Sequence, residues 1–270
     1  AKRVAKVHRL RSLLGKIDIC MAMGYYLNFL HFFTEKINVI CPHMRQIQHF
    51  FLPDVLADVK VGEILSICEK DIVHQIQNVL RMRISEESYM LDNRGHKLRC
   101  KLVEINKKFL EFEIISKELR KRSGRFLRLC VALAKKPATF ELIVQKAAEL
   151  GVDEIVPIYS SRCQVSEMRK SERLEYIIKE AAEQSEKCFL PVLQETIKLE
   201  AFLKNQSGLL LAGDPWKFDL KLKDVDLEGQ KNISILIGPE GGFTDDELES
   251  IKKAGGYIFL LGETVLRMET

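Results

Sequence analysis

An apolar run, Ile233-Ser234-Ile235-Leu236-Ile237, passes directly into Gly238-Pro239-Glu240-Gly241-Gly242-Phe243, and a helix start follows. The run has the composition of a strand buried on both faces. Thr244 is placed to cap the helix, and Asp245, Asp246 and Glu247 crowd its first turn, where the helix dipole favours negative charge. A buried strand that enters a helix through glycines is the crossover of an α/β sheet, and ligands bind at such crossovers, at the carboxyl ends of parallel strands. The glycines let a ligand approach the backbone, and Pro239 stiffens the turn. The turn is no phosphate cradle: GxGxxG is absent, no Lys-Ser/Thr follows the glycines, and the acidic helix start disfavours a phosphate.

A second glycine turn comes soon after. Residues 257–261 read as the next strand, and Gly262-Glu263-Thr264-Val265-Leu266-Arg267-Met268-Glu269-Thr270 follows. The two turns are expected side by side, each at the end of a strand. Taken alone, either one is as well explained as an ordinary βα turn. Upstream, strands alternate with helices. Residues 126–133 read as a buried strand and 137–150 as a helix closed by Gly151. A strand at 154–159, a long helix at 171–186, an extended piece at 192–193, a short helix at 199–204 and a strand at 208–212 follow. That alternation implies a parallel α/β sheet.

Residues 44–122 have a different rhythm. A short amphipathic helix is expected at 74–81. Strands at 87–91, 97–105 and 109–115 are separated by polar turns, Asp92-Asn93-Arg94-Gly95 and Asn106-Lys107-Lys108. Short strands with turn signals between them suggest a compact barrel, although apolar pairs blur the alternation after Lys101. Ser123-Gly124 marks the boundary between the two regions. Residues 1–43 fit neither. They combine a basic start with an apolar run of 15 residues, 19–33, interrupted by Asn28 and His31. A membrane span takes about 20 residues, so this run is too short, and no membrane role is expected.

Charge is unevenly placed. Residues 1–43 carry seven Lys/Arg and two Asp/Glu, residues 44–122 fifteen and twelve, and residues 123–270 twenty and twenty-four. The C-terminal region is therefore acidic, and any nucleic acid must be held by local patches. One such patch is Lys97, Arg99 and Lys101, which share one face of a strand and suit a row of phosphates; a solvated strand face explains them equally well. Seven cysteines stand at 20, 41, 68, 100, 130, 163 and 188 with no CxxC pair, which suggests neither a metal site nor a disulfide framework. Cys68, Cys100 and Cys130 read as small core residues.

IGPEGGF at 237–243, followed by LLGETVLRMET at 260–270, resembles the 16S rRNA uridine-N3 methyltransferase family of the SPOUT, or trefoil-knot, superfamily. LIVQKAAELGVDEIVPIYSSRC at 142–163, EAAEQSEK at 180–187 and IQNVLRM at 76–82 are similar to further blocks of that family, in the same order. The likeness runs from Met44 to Thr270. It implies an α/β fold with a C-terminal knotted methyltransferase domain at 123–270, preceded by a PUA-like RNA-binding β-barrel at 44–122 and an extension at 1–43. It also implies S-adenosyl-L-methionine as cofactor, 16S rRNA or the small ribosomal subunit as partner, a homodimer, and a cytoplasmic setting. The family runs on into a C-terminal helix, so the resemblance implies that this chain is C-terminally truncated.

A sulfonium methyl donor needs a shaped apolar pocket with backbone groups along the adenine edge, and no metal. The resemblance places Leu236, Ile237, Gly238, Gly241, Gly242, Leu260, Leu261, Gly262, Val265 and Leu266 around it. Ordinary core is the competing explanation for Leu260, Leu261, Val265 and Leu266. Methylation of uracil N3 requires loss of its proton, which a base or a cation near O2 and O4 assists. Arg267, Arg162 and Glu240 are the candidate catalytic residues, with Glu183 in the same block, and no general base is assigned. Pairs such as Arg267–Glu240 or Arg162–Glu183 would instead be plain ion pairs. Arg45, Arg81, Lys97, Arg99, Lys101, Arg122 and Lys187 are the candidate RNA-binding residues. Two departures stand out. EQSEK replaces an EQSGR-like block, so Lys187 stands for an arginine and loses its planar fork. LAKKPAT at 133–139 lacks the glycine and acid of an LPKGDK-like block. The alternatives are a related methyltransferase with another RNA target and a non-catalytic RNA-binding homologue.

Overall fold

A computed structural model describes residues 47–270 apart from 54, 123, 169 and 170. The extension, Arg45, the proposed start at Met44 and the Ser123 boundary residue lie outside the described residues. Residues 47–269 form one compact unit built on two sheets.

The first sheet contains β1 (Gln48–Phe51), β2 (Ile64–Ile67), β3 (Glu87–Leu91), β4 (His96–Ile105) and β5 (Leu110–Leu119) in the order β1-β3-β4-β5-β2. β1 and β3 run parallel and the other pairs antiparallel. Along β4, Leu98, Cys100 and Leu102 are buried while Lys97, Arg99 and Lys101 alternate to the other face. The alternation fails past Lys101, where the sequence is blurred: the apolar pair Leu102-Val103 coincides with a register shift between Leu102 and Glu104. Phe50, Met90, Leu98, Leu110, Phe112 and Ile114 fill the core of this sheet with Ile72 and Ile76. Those two come from a helix that starts earlier than expected, α1 (Lys70–His74), and widens into a π turn at Gln75–Val79. Burial pushes the Cys100 thiol up to about 12, which fits an inert core residue. Cys68 is exposed and is not core, because it follows buried Ile67 at the end of an edge strand.

The second sheet is wholly parallel. Its elements are β6 (Phe126–Ala132), α2 (Pro137–Leu150), β7 (Glu154–Tyr159), α3 (Ser171–Gln184), β8 (Val192–Leu193), β9 (Ile197–Lys198), α4 (Leu199–Asn205), β10 (Leu209–Gly213), β11 (Leu220–Lys221), β12 (Asn232–Ile237), α5 (Asp245–Lys253) and β13 (Tyr257–Leu260). The order is β11-β13-β10-β12-β6-β7-β8, with β9 also on β7. Helix α2 begins with Pro137 and ends at Gly151 in the left-handed region, φ 80°. Side chains of α2 and α3 pack with Val131 and Ile155 on one face. Leu199 and Phe202 of α4 and Leu248 and Ile251 of α5 pack with Cys130, Val156, Leu210 and Leu236 on the other. Buried strands between two helical layers explain why these runs are apolar without alternation.

The two glycine turns are not on adjacent strands. Helix α5 carries the chain across the face of the sheet past β10, so β13 pairs with β10 on the side away from β12. That corrects the side-by-side expectation: one strand intervenes, which puts the turns about 10 Å apart at the usual strand spacing.

Among the described residues no helix is long and apolar enough to cross a membrane.

Candidate functional site

The turns after β6, β7, β10, β12 and β13 leave the carboxyl end, or rim, of the parallel sheet, and β6 and β12 lie at the middle of its strand order. These strands are neighbours, yet α2 leaves β6 toward one face and α5 leaves β12 toward the other. Diverging crossovers on adjacent strands open a crevice at the strand ends, the general position of a ligand in an open α/β sheet.

The glycine turn at 238–243 stands at these strand ends, is closed by a bond of its own and is tied to two neighbouring turns. Gly242 has φ 70° and its N–H donates to the Pro239 carbonyl at 2.8 Å, which closes the turn. Glu240 Oε1 accepts from the Lys135 N–H at 3.0 Å, tying the turn to the one after β6. Arg162 Nη1 donates to the carbonyls of Gly241 at 2.6 Å and Phe243 at 3.2 Å, tying it to the turn after β7. Thr244 caps α5 as the sequence suggested: its Oγ1 accepts from the Glu247 N–H at 3.2 Å. Beneath the turn, Leu236 and Phe243 are buried, and a Cβ on Gly238 would stand 3.1 Å from the Phe243 ring. A side chain there requires the Phe243 ring to give way by a few tenths of an ångström.

The rim is open at two of its glycines. A Cβ built on Gly262 meets nothing within 4 Å, and one on Gly242 meets only Arg162 Nη1, at 4.0 Å. Leu261, Val265 and Leu266 are 49%, 59% and 42% exposed, so they are not core, and Leu260 is half-buried. Apolar side chains in solvent beside open glycine backbone have the chemistry a nucleoside with an aliphatic tail asks for.

The candidate catalytic residues are not all brought together. Arg162 and Glu240 both touch the glycine turn, but each is engaged with backbone. Arg267 is in solvent, 3.9 Å from Glu269, with its side chain 87% exposed. Neither suggested ion pair is formed; Glu183 instead accepts from the Phe51 N–H at 3.0 Å, in the contact between β1 and α3.

The candidate RNA-binding residues are scattered. Lys97, Arg99 and Lys101 share the outer face of β4, with neighbours of opposite charge. Arg99 Nη2 lies 2.6 Å from Glu87, Lys97 Nζ lies 3.9 Å from the centre of the Tyr89 ring, and Lys101 stands opposite Glu87 and Glu113. Arg122 pairs with Asp153 at 2.8 Å and covers the Phe189 ring. Arg81 is exposed, in the left-handed region at φ 51°. Lys187 lies along Gly151, where the ammonium meets the carboxyl end of α2.

Two features were missed. The turn after β10 sits between the two glycine turns, and Asp214 organises it by accepting from the N–H groups of Trp216 and Lys217, both at 2.8 Å. Gly213-Asp214-Pro215 after an apolar run was the available signal. Glu247, treated above as a dipole partner, is buried and bonded to Ser161.

The RNA methyltransferase domain family matches residues 122–270, more than half of the chain. Similar curated proteins include the ribosomal RNA small subunit methyltransferase E of Rickettsia conorii, 28% identical over 201 residues that cover 73% of this chain and 82% of the relative. That of Aquifex aeolicus is 29% identical over 213 residues, covering 77% and 90%. Among solved structures, a ribosomal RNA small subunit methyltransferase E from Neisseria gonorrhoeae bound to S-adenosyl methionine superposes with a TM-score of 0.74 at 27% identity, over 83% of this chain and 93% of that one.

Proposed function

The chain belongs to the RNA methyltransferase domain family, and from that premise we propose that it methylates N3 of a uridine in 16S, small-subunit ribosomal RNA, with S-adenosyl-L-methionine as methyl donor. The observation that carries this reading is the open backbone at Gly242 and Gly262, at the rim of a fold shared with a protein bound to that cofactor. Residues 44–122 act as a PUA-like RNA-binding barrel, and residues 123–270 as a knotted SPOUT domain that works as a homodimer. We assign it to the cytoplasm, where a small-subunit ribosomal RNA substrate would be met.

The bound sulfonium nucleotide supplies the methyl group. Leu236, Ile237 and Gly238, Gly241 and Gly242, Leu260, Leu261 and Gly262, with Val265 and Leu266, are the residues that would hold that nucleotide. Arg162 and Glu240 keep the glycine turn in shape. The target uracil leaves its stack to reach the rim. Its N3 gives up its proton to solvent at the exposed rim, and Arg267, in solvent beside Glu269, stabilises the negative charge left on the uracil oxygens. Lys97, Arg99, Lys101, Arg81, Arg122 and Lys187, together with Arg45, hold phosphates and carry no sequence information.

Mass spectrometry of ribosomal RNA from cells lacking the protein, with and without complementation, tests the proposal. It should show loss and recovery of one 3-methyluridine in the small-subunit RNA. A methyl group lost elsewhere would give the protein another target. Unchanged RNA together with no binding of S-adenosyl-L-methionine in calorimetry would leave an RNA-binding protein without catalysis.

A further inference from the structure

Glu247 is a buried carboxylate, 6% exposed, whose two oxygens serve two different loops. Oε2 accepts from the Thr244 N–H at 2.8 Å, the ordinary return bond of a capping box. A capping box uses one oxygen. Oε1 accepts from the N–H of Ser161, 86 residues away, at 2.7 Å. Ser161 opens the turn after β7, and its neighbour Arg162 reaches back to the Gly241 and Phe243 carbonyls. Two successive residues of one turn are therefore joined to the glycine turn by opposite charges, an anion taking backbone N–H groups and a cation giving to backbone carbonyls. Arg162 is exposed, where water competes for its bonds. Glu247 is shielded, and hydrogen bonds to a buried charge are the stronger kind.

Resting on the methyltransferase reading, we infer that Glu247 is a positioning residue. It holds the turn after β7 against the glycine turn, so that the Gly241-Gly242 backbone is set for the cofactor before the cofactor arrives. It touches no substrate. Glutamine at this position keeps one acceptor oxygen but turns an amide NH2 toward an N–H donor, so one of the two bonds is lost. Aspartate is one methylene shorter and does not span both donors.

The experiment compares E247Q, E247D and T244A with the unaltered chain by calorimetry with S-adenosyl-L-methionine, steady-state methylation and thermal melting. Thr244→Ala weakens the cap of α5 but leaves the Ser161 bond in place. Both Glu247 variants should weaken cofactor binding and raise its KM about tenfold, the worth of one hydrogen bond to a charged group, with kcat within about twofold. Thr244→Ala should lower the melting temperature with cofactor affinity retained. Equal loss of affinity in T244A and E247Q at equal loss of stability would reduce Glu247 to a helix cap and overturn the inference. So would unchanged affinity in both Glu247 variants. An unaltered chain that binds no S-adenosyl-L-methionine would instead overturn the methyltransferase reading, and this inference with it.

Discussion

Phe51 and Glu183, 132 residues apart, are joined by a hydrogen bond from the Phe51 N–H to Glu183 Oε1 at 3.0 Å. The contact lies where β1 meets α3, beside a cluster of Phe51, Leu91 and Ala182. Burial raises the Glu183 carboxyl above its ordinary value, against the opposing pull of the Phe51 N–H and Lys179. The folded protein therefore holds this proton to a higher pH than the unfolded chain does. Its contribution to stability is complete below the unfolded pKa, about 4.5, and is lost as pH rises through the folded value. Glu183→Gln should flatten that slope in urea titrations run between about pH 4 and 8. Glu183→Ala leaves the Phe51 N–H without its partner and should cost about 1–3 kcal/mol. An unchanged pH profile in Glu183→Gln would show that the carboxyl stays ionised throughout.

Glu186 follows α3 in the left-handed region, at φ 57°. A side chain there crowds the following carbonyl, and glycine is the residue that relieves it. Glu186→Gly should stabilise the protein by about 0.5 kcal/mol, the relief of left-handed strain less the greater entropy of an unfolded glycine. A urea midpoint that moves downward would mean that the electrostatic contact of Glu186 with His49 outweighs the strain.

Gly241 separates the needs of the fold from those of the ligand. It is exposed, its φ is not in the left-handed region, and a Cβ there would come no closer than 3.4 Å, to Arg162 Cδ. The fold accepts alanine; if the cofactor lies against that backbone, as proposed, its binding does not. Gly241→Ala should melt within a few degrees of the unaltered chain and lose about tenfold or more in affinity for S-adenosyl-L-methionine; Gly241→Val should abolish binding. Affinity retained in both would move the cofactor off this turn.

What could be seen in the sequence was local. Pro137 and Gly151 bracket α2, and Thr244 with Glu247 announces α5, because caps are written in adjacent residues. Strand order is not local. Nothing between Ile237 and Tyr257 says that β10 will lie between β12 and β13, since that depends on which apolar faces meet across the sheet. The same limit hid the partners of Glu183 and of the second oxygen of Glu247, since Phe51 and Ser161 are distant in the chain. Charge on a strand was legible as a face but not as a function. The alternation of Lys97, Arg99 and Lys101 was visible, and the glutamates placed against them by cross-strand register were not.

That register makes the RNA-binding row testable one side chain at a time. Arg99 is held by Glu87 at 2.6 Å, and a partner already in place must be displaced before a phosphate can be taken. Lys101 has Glu87 and Glu113 opposite it across the strands, and its flexible stem leaves the ammonium able to turn outward. If Lys101 holds a phosphate, Lys101→Gln should weaken binding to ribosomal RNA fragments of any sequence to the same degree. It should also lower the slope of log affinity against log salt by about 1, measured between about 50 and 200 mM. Arg99→Gln should change that slope less, because the freed Glu87 adds repulsion at all sequences while few counterions were released by Arg99 to begin with. Slopes that do not move in either variant would make the row a ladder of cross-strand ion pairs, each worth a fraction of a kcal/mol to the sheet, and would place the path of the RNA elsewhere on the molecule.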